Sequence, residues 1–82
     1  MPEISRFLGI VIGMFYRDHA PPHFHGEYEI TVDIETAVVH GSFPKRAMRL
    51  VLEWLDMHKR ELLENWWLVE LGRPLRKVPP LE

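Results

Sequence analysis

The sequence predicts an α+β fold: a small antiparallel sheet of three to four strands, then two packed helices, then an extended proline-containing tail. Three observations carry this. Period-two alternation of apolar residues is confined to the first half, within residues 4–43. A helical period takes over within 44–71. Three prolines then fall within residues 73–82. Strands segregated ahead of helices are the mark of the α+β class, and 82 residues allow one domain and a single core.

Each segment has its own reason. Ile10, Ile12, Met14 and Tyr16 alternate with Val11, Gly13 and Phe15, the pattern of a strand covered on both faces. Arg17 to Pro22 interrupts it, because two successive prolines cannot donate to a ladder. From Glu27 to Glu35 the alternation predicts one unbroken strand. Tyr28, Ile30, Val32 and Ile34 share its dry face, and Glu27, Glu29, Thr31, Asp33 and Glu35 its wet one. Val38-Val39-His40 reads as the returning strand, closed by Gly41. Pro44 suits a first helical turn. Ala47, Met48, Leu50, Val51, Leu52, Trp54 and Leu55 fill one arc of the first helix, and Leu62, Leu63, Trp66 and Val69 continue the second to Gly72 in the C′ role. A bend or break is expected near Met57 to Lys59. Trp54 and Trp66 read as core, and Trp67 as a flank of the core or part of an interface. In the tail, Leu75, Val78 and Leu81 recur every third residue, one apolar edge of a polyproline-type segment that lies on the body or on a partner.

Composition excludes several classes. There is no cysteine, so disulfide frameworks, thiolate zinc sites and cysteine nucleophiles are ruled out. Phe7 to Tyr16, the longest apolar run, is half the length of a membrane span. Glu3 beside Arg6, and Arg17-Asp18-His19 after the run, fit no signal peptide. A cytoplasmic protein is expected. The formal charge is −2, with −4 in residues 1–44 and +2 in residues 45–82. That division suits homotypic or other protein–protein contact and gives nucleic-acid binding little support.

The chemistry concentrates in Asp18-His19-Ala20-Pro21-Pro22-His23-Phe24-His25, which holds three of the five histidines. On an extended segment His23 and His25 point the same way, about 6.6 Å apart at the backbone, a spacing that suits two ligands of one divalent metal. Asp18 is the natural further ligand, or the carboxylate that orients an imidazole. Polyproline geometry puts His19 roughly 12 Å from His23, so it joins only through a turn. Three readings fit the block. It can be a rigid loop whose imidazoles satisfy carbonyls left unpaired by the prolines, a metal set of Asp18, His23 and His25, or a metal-free acid–base group of His19, His23 and His25. The structural role ranks narrowly first, so no cofactor is expected. A second constellation, Lys45, Arg46 and Arg49, opens the helical half and can hold a phosphate or other anion, or form a solvated face. His40 and His58 stand alone and read as surface or helix-junction residues.

Met1 to Phe7, Gly9 to Ile12, the Asp18–His25 block, Asp33 to Thr36, Pro44 to Ala47, Glu61 to Trp66 and Gly72 to Leu75 closely resemble the small bacterial proteins grouped as domain of unknown function 4160. The resemblance implies a partner, a second small protein of the domain-of-unknown-function 2442 type encoded nearby, in a toxin–antitoxin-like pair. It implies no established activity. Two departures from the family pattern bear on the strands: Gly26-Glu27 follows the HFH triplet at once, and Thr36-Ala37 stands where a Thr-Gly turn is usual.

Two functions follow as expectations. The first is a non-enzymatic interaction component of a two-protein module, docking through a strand edge or the tail. The second is a small RNA-cleaving hydrolase, with His19, His23 or His25 as acid and base, Lys45 and Arg46 steadying the phosphate, and a divalent metal as an option.

Overall fold

The computed structural model describes residues 1–81. It is α+β, with a five-stranded antiparallel sheet in the order β1-β2-β3-β4-β5 and one long helix. The strands are β1 (Glu3–Phe7), β2 (Ile10–Gly13), β3 (His23–His25), β4 (Thr31–Asp33) and β5 (Val39–His40); the helix is α1 (Lys45–Glu70). Two expectations need correcting: the sheet has five strands, and the helical half is one helix.

The extra strand comes from splitting the apolar run at Phe7. Phe7 pairs with Ile10, and the two residues between them, Leu8 and Gly9, have φ of 50° and 79°. Two positive φ values in a two-residue loop give the tight hairpin whose twist matches its strands. Leucine is rare in that conformation, which is why the turn carries no sequence signal.

The expected long strand over 27–35 is also broken. Glu27–Glu29 forms a 3-10 turn, with Tyr28 and Glu29 at φ 59° and 58°. Gly26 N–H donates to Ile30 O across the loop at 3.0 Å. The Glu27 carboxylate meanwhile accepts the Val11 N–H at 3.3 Å, taking a ladder position that backbone would otherwise fill. Ile30, Val32 and Ile34 still reach the core, but Tyr28 is 70% exposed.

The apolar stripe explains the single helix. Val51, Trp54 and Leu55, then Leu62, Asn65, Trp66 and Val69, are its buried residues. Leu55, Leu62 and Val69 are seven apart, so both halves face the same sheet and nothing drives a separation. His58, inside the expected break, departs from helical geometry (φ −123°, ψ 22°) without ending the helix. Its Nδ1 lies 2.7 Å from Glu61 Oε1. Pro44 is the N-cap rather than the first helical residue. At the other end Arg73 N–H donates to Leu68 O and Gly72 N–H to Val69 O, with Gly72 at φ 69°. This is the Schellman closure expected of a C′ glycine. No helix among the described residues is long and apolar enough to cross a membrane.

The core lies between the sheet and α1. Trp54 is fully buried, its ring 5.3 Å from Phe7 and edge-on to Phe24 at 5.6 Å. Trp66 is buried and Trp67 is 60% exposed. The tail lies on the body. Val78 N–H donates to Ile4 O at 2.8 Å, and Val78 is buried. The Asn65 side chain donates to Arg76 O and accepts from Arg76 N–H, gripping the tail as a neighbouring strand would. Trp54 Nε1–H donates to Pro79 O at 2.8 Å.

One glycine is required by close approach. A Cβ at Gly13 would lie 2.5 Å from the Pro2 carbonyl oxygen and 2.7 Å from Met1 Cγ. Met1 can yield, but Pro2 O cannot, because it accepts the Met14 N–H at 3.1 Å. Gly13→Ala is therefore expected to destabilise by about 1–3 kcal/mol. In a domain of this size that is a fall of roughly 4–8 °C per kcal/mol in a thermal melt; an unchanged melt would contradict the assignment.

Candidate functional site

The loop between β2 and β3 folds back so that Asp18 meets the strand it precedes. The Ala20–Pro21 peptide is cis, and Ile34 N–H donates to Pro22 O at 3.0 Å, fixing the loop to the chain beyond β4. From this position Asp18 Oδ2 lies 2.9 Å from His23 Nε2 and 2.8 Å from His25 Nε2. Its other oxygen, Oδ1, accepts the His19 backbone N–H at 2.9 Å and lies 3.1 Å from His19 Nδ1. The side chains of Asp18, His23 and His25 are 14%, 7% and 22% exposed, and that of His19 88%. Three of the four are thus held inside the fold, while His19 reaches into solvent.

His23 is the most constrained. Its ring packs against Trp66 at 5.1 Å, and its Nδ1 lies 2.8 Å from Pro21 O. A carbonyl only accepts, so Nδ1 carries a proton and Nε2 is the nitrogen turned to Asp18. Beside an ionised carboxylate that Nε2 has two ways to be stable: it carries a second proton, or it offers its lone pair to a cation shared with Asp18. His25 is held by the Phe15 ring, edge-on at 4.6 Å. Asp18, His23 and His25 each offer a ligand atom, all within 4.8 Å of one another.

Burial, the largest single influence, pushes the Asp18 carboxyl up. The bond from His25, the bond from the His19 backbone N–H, and the charge and bond of His23 outweigh it and hold the carboxyl below its ordinary value of 3.8.

The strand register extends the site beyond the loop. His23 pairs with Asp33, His25 with Thr31, and Thr31 with His40. These residues, with His19 and Pro21, line one open groove of about 450 Å³. His40 Nε2 lies 3.1 Å from Asp33 Oδ2, so His40 is not the isolated residue the sequence suggests. Thr31, Asp33 and His40 were missing from the expected site. The signal available for the first two was their place on the wet face of the alternation; what it lacked was the pairing partner.

The basic constellation is elsewhere. Lys45, Arg46 and Arg49 are exposed on the first turns of α1, and Trp66 lies 21 positions beyond Lys45 along the helix, about 30 Å at 1.5 Å per residue. Because Trp66 packs on His23, Lys45 lies at the far end of α1 from that histidine, and Lys45, Arg46 and Arg49 are not among the residues that line the groove.

A family model described as a domain of unknown function (DUF4160) matches residues 9–67, well over half of the chain. The chain belongs to this family. The DUF4160 match runs from the β1–β2 turn into the last turns of α1. It takes in the Asp18–His25 block, Asp33 and His40, and ends before the tail. Searches of curated proteins and of solved structures found no match.

The depressed Asp18 carboxyl has a consequence for acid stability. Its folded value lies below its unfolded one, so the stability it contributes is complete above pH 3.8 and is lost as pH falls through the folded value. In chelator-treated protein, Asp18→Asn is expected to unfold more easily than wild type at pH 7, by about 1.5–3 kcal/mol for a lost charged hydrogen bond. The gap should close below pH 3.8; urea titrations showing a pH-independent gap would contradict this.

Proposed function

We propose that the protein binds one divalent transition-metal ion through Asp18, His23 and His25, and that the ion works from the wall of the histidine groove. The observation that carries this reading is the convergence of two imidazole Nε2 atoms on one carboxylate oxygen, at 2.8 and 2.9 Å. The bond from His23 Nδ1–H to Pro21 O adds to it, being the outer contact that fixes the tautomer and orientation of a metal-ligating histidine. Two imidazoles and a carboxylate suit zinc, nickel, manganese or iron(II), and three protein ligands leave coordination positions open toward the groove. Untagged protein is expected to carry close to one equivalent of metal by elemental analysis. Chelation should lower its melting temperature, and His23→Ala should abolish both the metal and the chelator effect. Less than about a tenth of an equivalent after incubation with each ion and desalting would end the reading, since sites of this donor set hold their ion strongly at neutral pH.

A second role, pairing with a small protein encoded nearby, is favoured by the unequal edges of the sheet. The tail covers β1 through Val78 N–H and Ile4 O, whereas β5 lies at the opposite edge of the sheet. Asp33 N–H donates to Val38 O, so by ladder alternation the Val39 backbone groups face outward and can take up a partner strand. Co-expression is expected to give a co-purifying pair that Val39→Pro breaks while the melting temperature is kept. Failure to co-purify, or indifference to the proline, would count against it.

A further inference from the structure

The wall of the groove opposite the proposed ion holds a second carboxylate–imidazole pair. His40 Nε2 lies 3.1 Å from Asp33 Oδ2, with His40 more than half exposed and Asp33 largely covered. An ionised carboxylate only accepts, so the proton of neutral His40 sits on Nε2 and the lone pair on Nδ1 is free to take another. An oriented imidazole of this kind is a general base. His25, Thr31 and His40 are register neighbours on three adjacent strands, which puts His25 and His40 about 10 Å apart at the backbone. Both imidazoles line the groove, and that separation leaves room for a reacting group between them.

From this juxtaposition we infer that the groove hydrolyses phosphodiesters, with Asp33 and His40 as its proton-transfer pair. The inference rests on the metal reading above. The substrate class follows from charge and shape. Asp18 and Asp33 together cancel a divalent ion, and among the described residues no lysine or arginine lines the groove, so a singly charged diester is accommodated better than a doubly charged monoester or a polyphosphate. Of the remaining groups facing the groove, His19 and the Thr31 hydroxyl can each donate to a phosphoryl oxygen. About 450 Å³ accommodates a unit of nucleotide size, within the usual range for a small-ligand site. The groove is also open, as a chain substrate requires.

The chemistry balances with water as the only co-reactant. Water is the nucleophile: its oxygen forms the new bond to phosphorus and its proton passes to His40 Nδ1, and an ion held by Asp18, His23 and His25 would make that water easier to deprotonate. The bond from phosphorus to the leaving oxygen breaks, and that oxygen takes the proton back from the imidazolium. No atom changes oxidation state. His40 is the catalytic residue of the pair; Asp33, acting through His40, is a positioning residue.

The test uses the full chain loaded with zinc or manganese and three chromogenic probes: bis(4-nitrophenyl) phosphate, 4-nitrophenyl phosphate and 4-nitrophenyl acetate. The diester is expected to turn over above the rate of the same ion in buffer and to be preferred to the other two. His40→Ala should lower kcat by roughly 10²–10⁴-fold with metal content, KM and melting temperature kept, and added imidazole should restore part of the rate. Should His40→Ala fold poorly, His40→Gln keeps the volume and tests the same loss. Asp33→Asn should lower kcat without loss of metal and without rescue by imidazole. Metal bound with no diester turnover, a preference for another probe, or His40 variants as active as wild type would overturn this inference and leave the metal reading standing. Absence of bound metal would overturn both.

Discussion

The indole of Trp54 closes three contacts at once. Its ring meets Phe7 on β1 and Phe24 on β3, and its Nε1–H holds Pro79 in the tail. Sheet, helix and tail therefore share one buried side chain. Removing a buried tryptophan costs about 3–5 kcal/mol, against about 5–15 kcal/mol for a whole domain, and a short chain without disulfides stands near the lower end. The polar handle matters as well as the area: an indole N–H left unpaired in the core would carry its own desolvation penalty. The tail meets that need, so the segment with the least regular structure satisfies the most central residue.

That packing also determines what the groove can be. His23 belongs to both systems, its ring against Trp66 in the helix and its two nitrogens committed to Pro21 O and Asp18. A cluster of side chains built on short strands and backed by the core is held more tightly than one on a free loop. Only Asp18 and His19 come from loop, and the loop is fixed by the Pro22 carbonyl accepting from Ile34. His19 is the exception in exposure: it lines the groove with its side chain almost wholly in solvent.

Features that depend on local period were legible in the sequence. The α+β class, the core roles of Trp54 and Trp66, Gly72 at C′ and the shared face of His23 and His25 follow from spacing alone. The Leu8-Gly9 turn was hidden because leucine at positive φ contradicts its own preference, and tertiary packing of Phe7 and Ile10 overrides it. Tyr28 was misplaced for a related reason. Perfect alternation continued through Glu27, but a side-chain carboxylate replaced the strand partner and turned the chain. The pairing of Asp33 with His40 has no local signal because a hairpin register is a long-range fact: seven residues apart in sequence, they meet only once β4 and β5 pair.

The bond from Val78 to Ile4 joins the second residue of the first strand to a position 74 residues later. During synthesis β1 is made well before the segment that covers it. Until residue 78 has emerged, its outer edge is bare and the Trp54 indole has no acceptor from the tail. A nascent chain in that interval presents an open strand edge to any neighbour on the same message. The segment around Val78 thus shields a strand edge that, left bare, would be open to pairing with another chain.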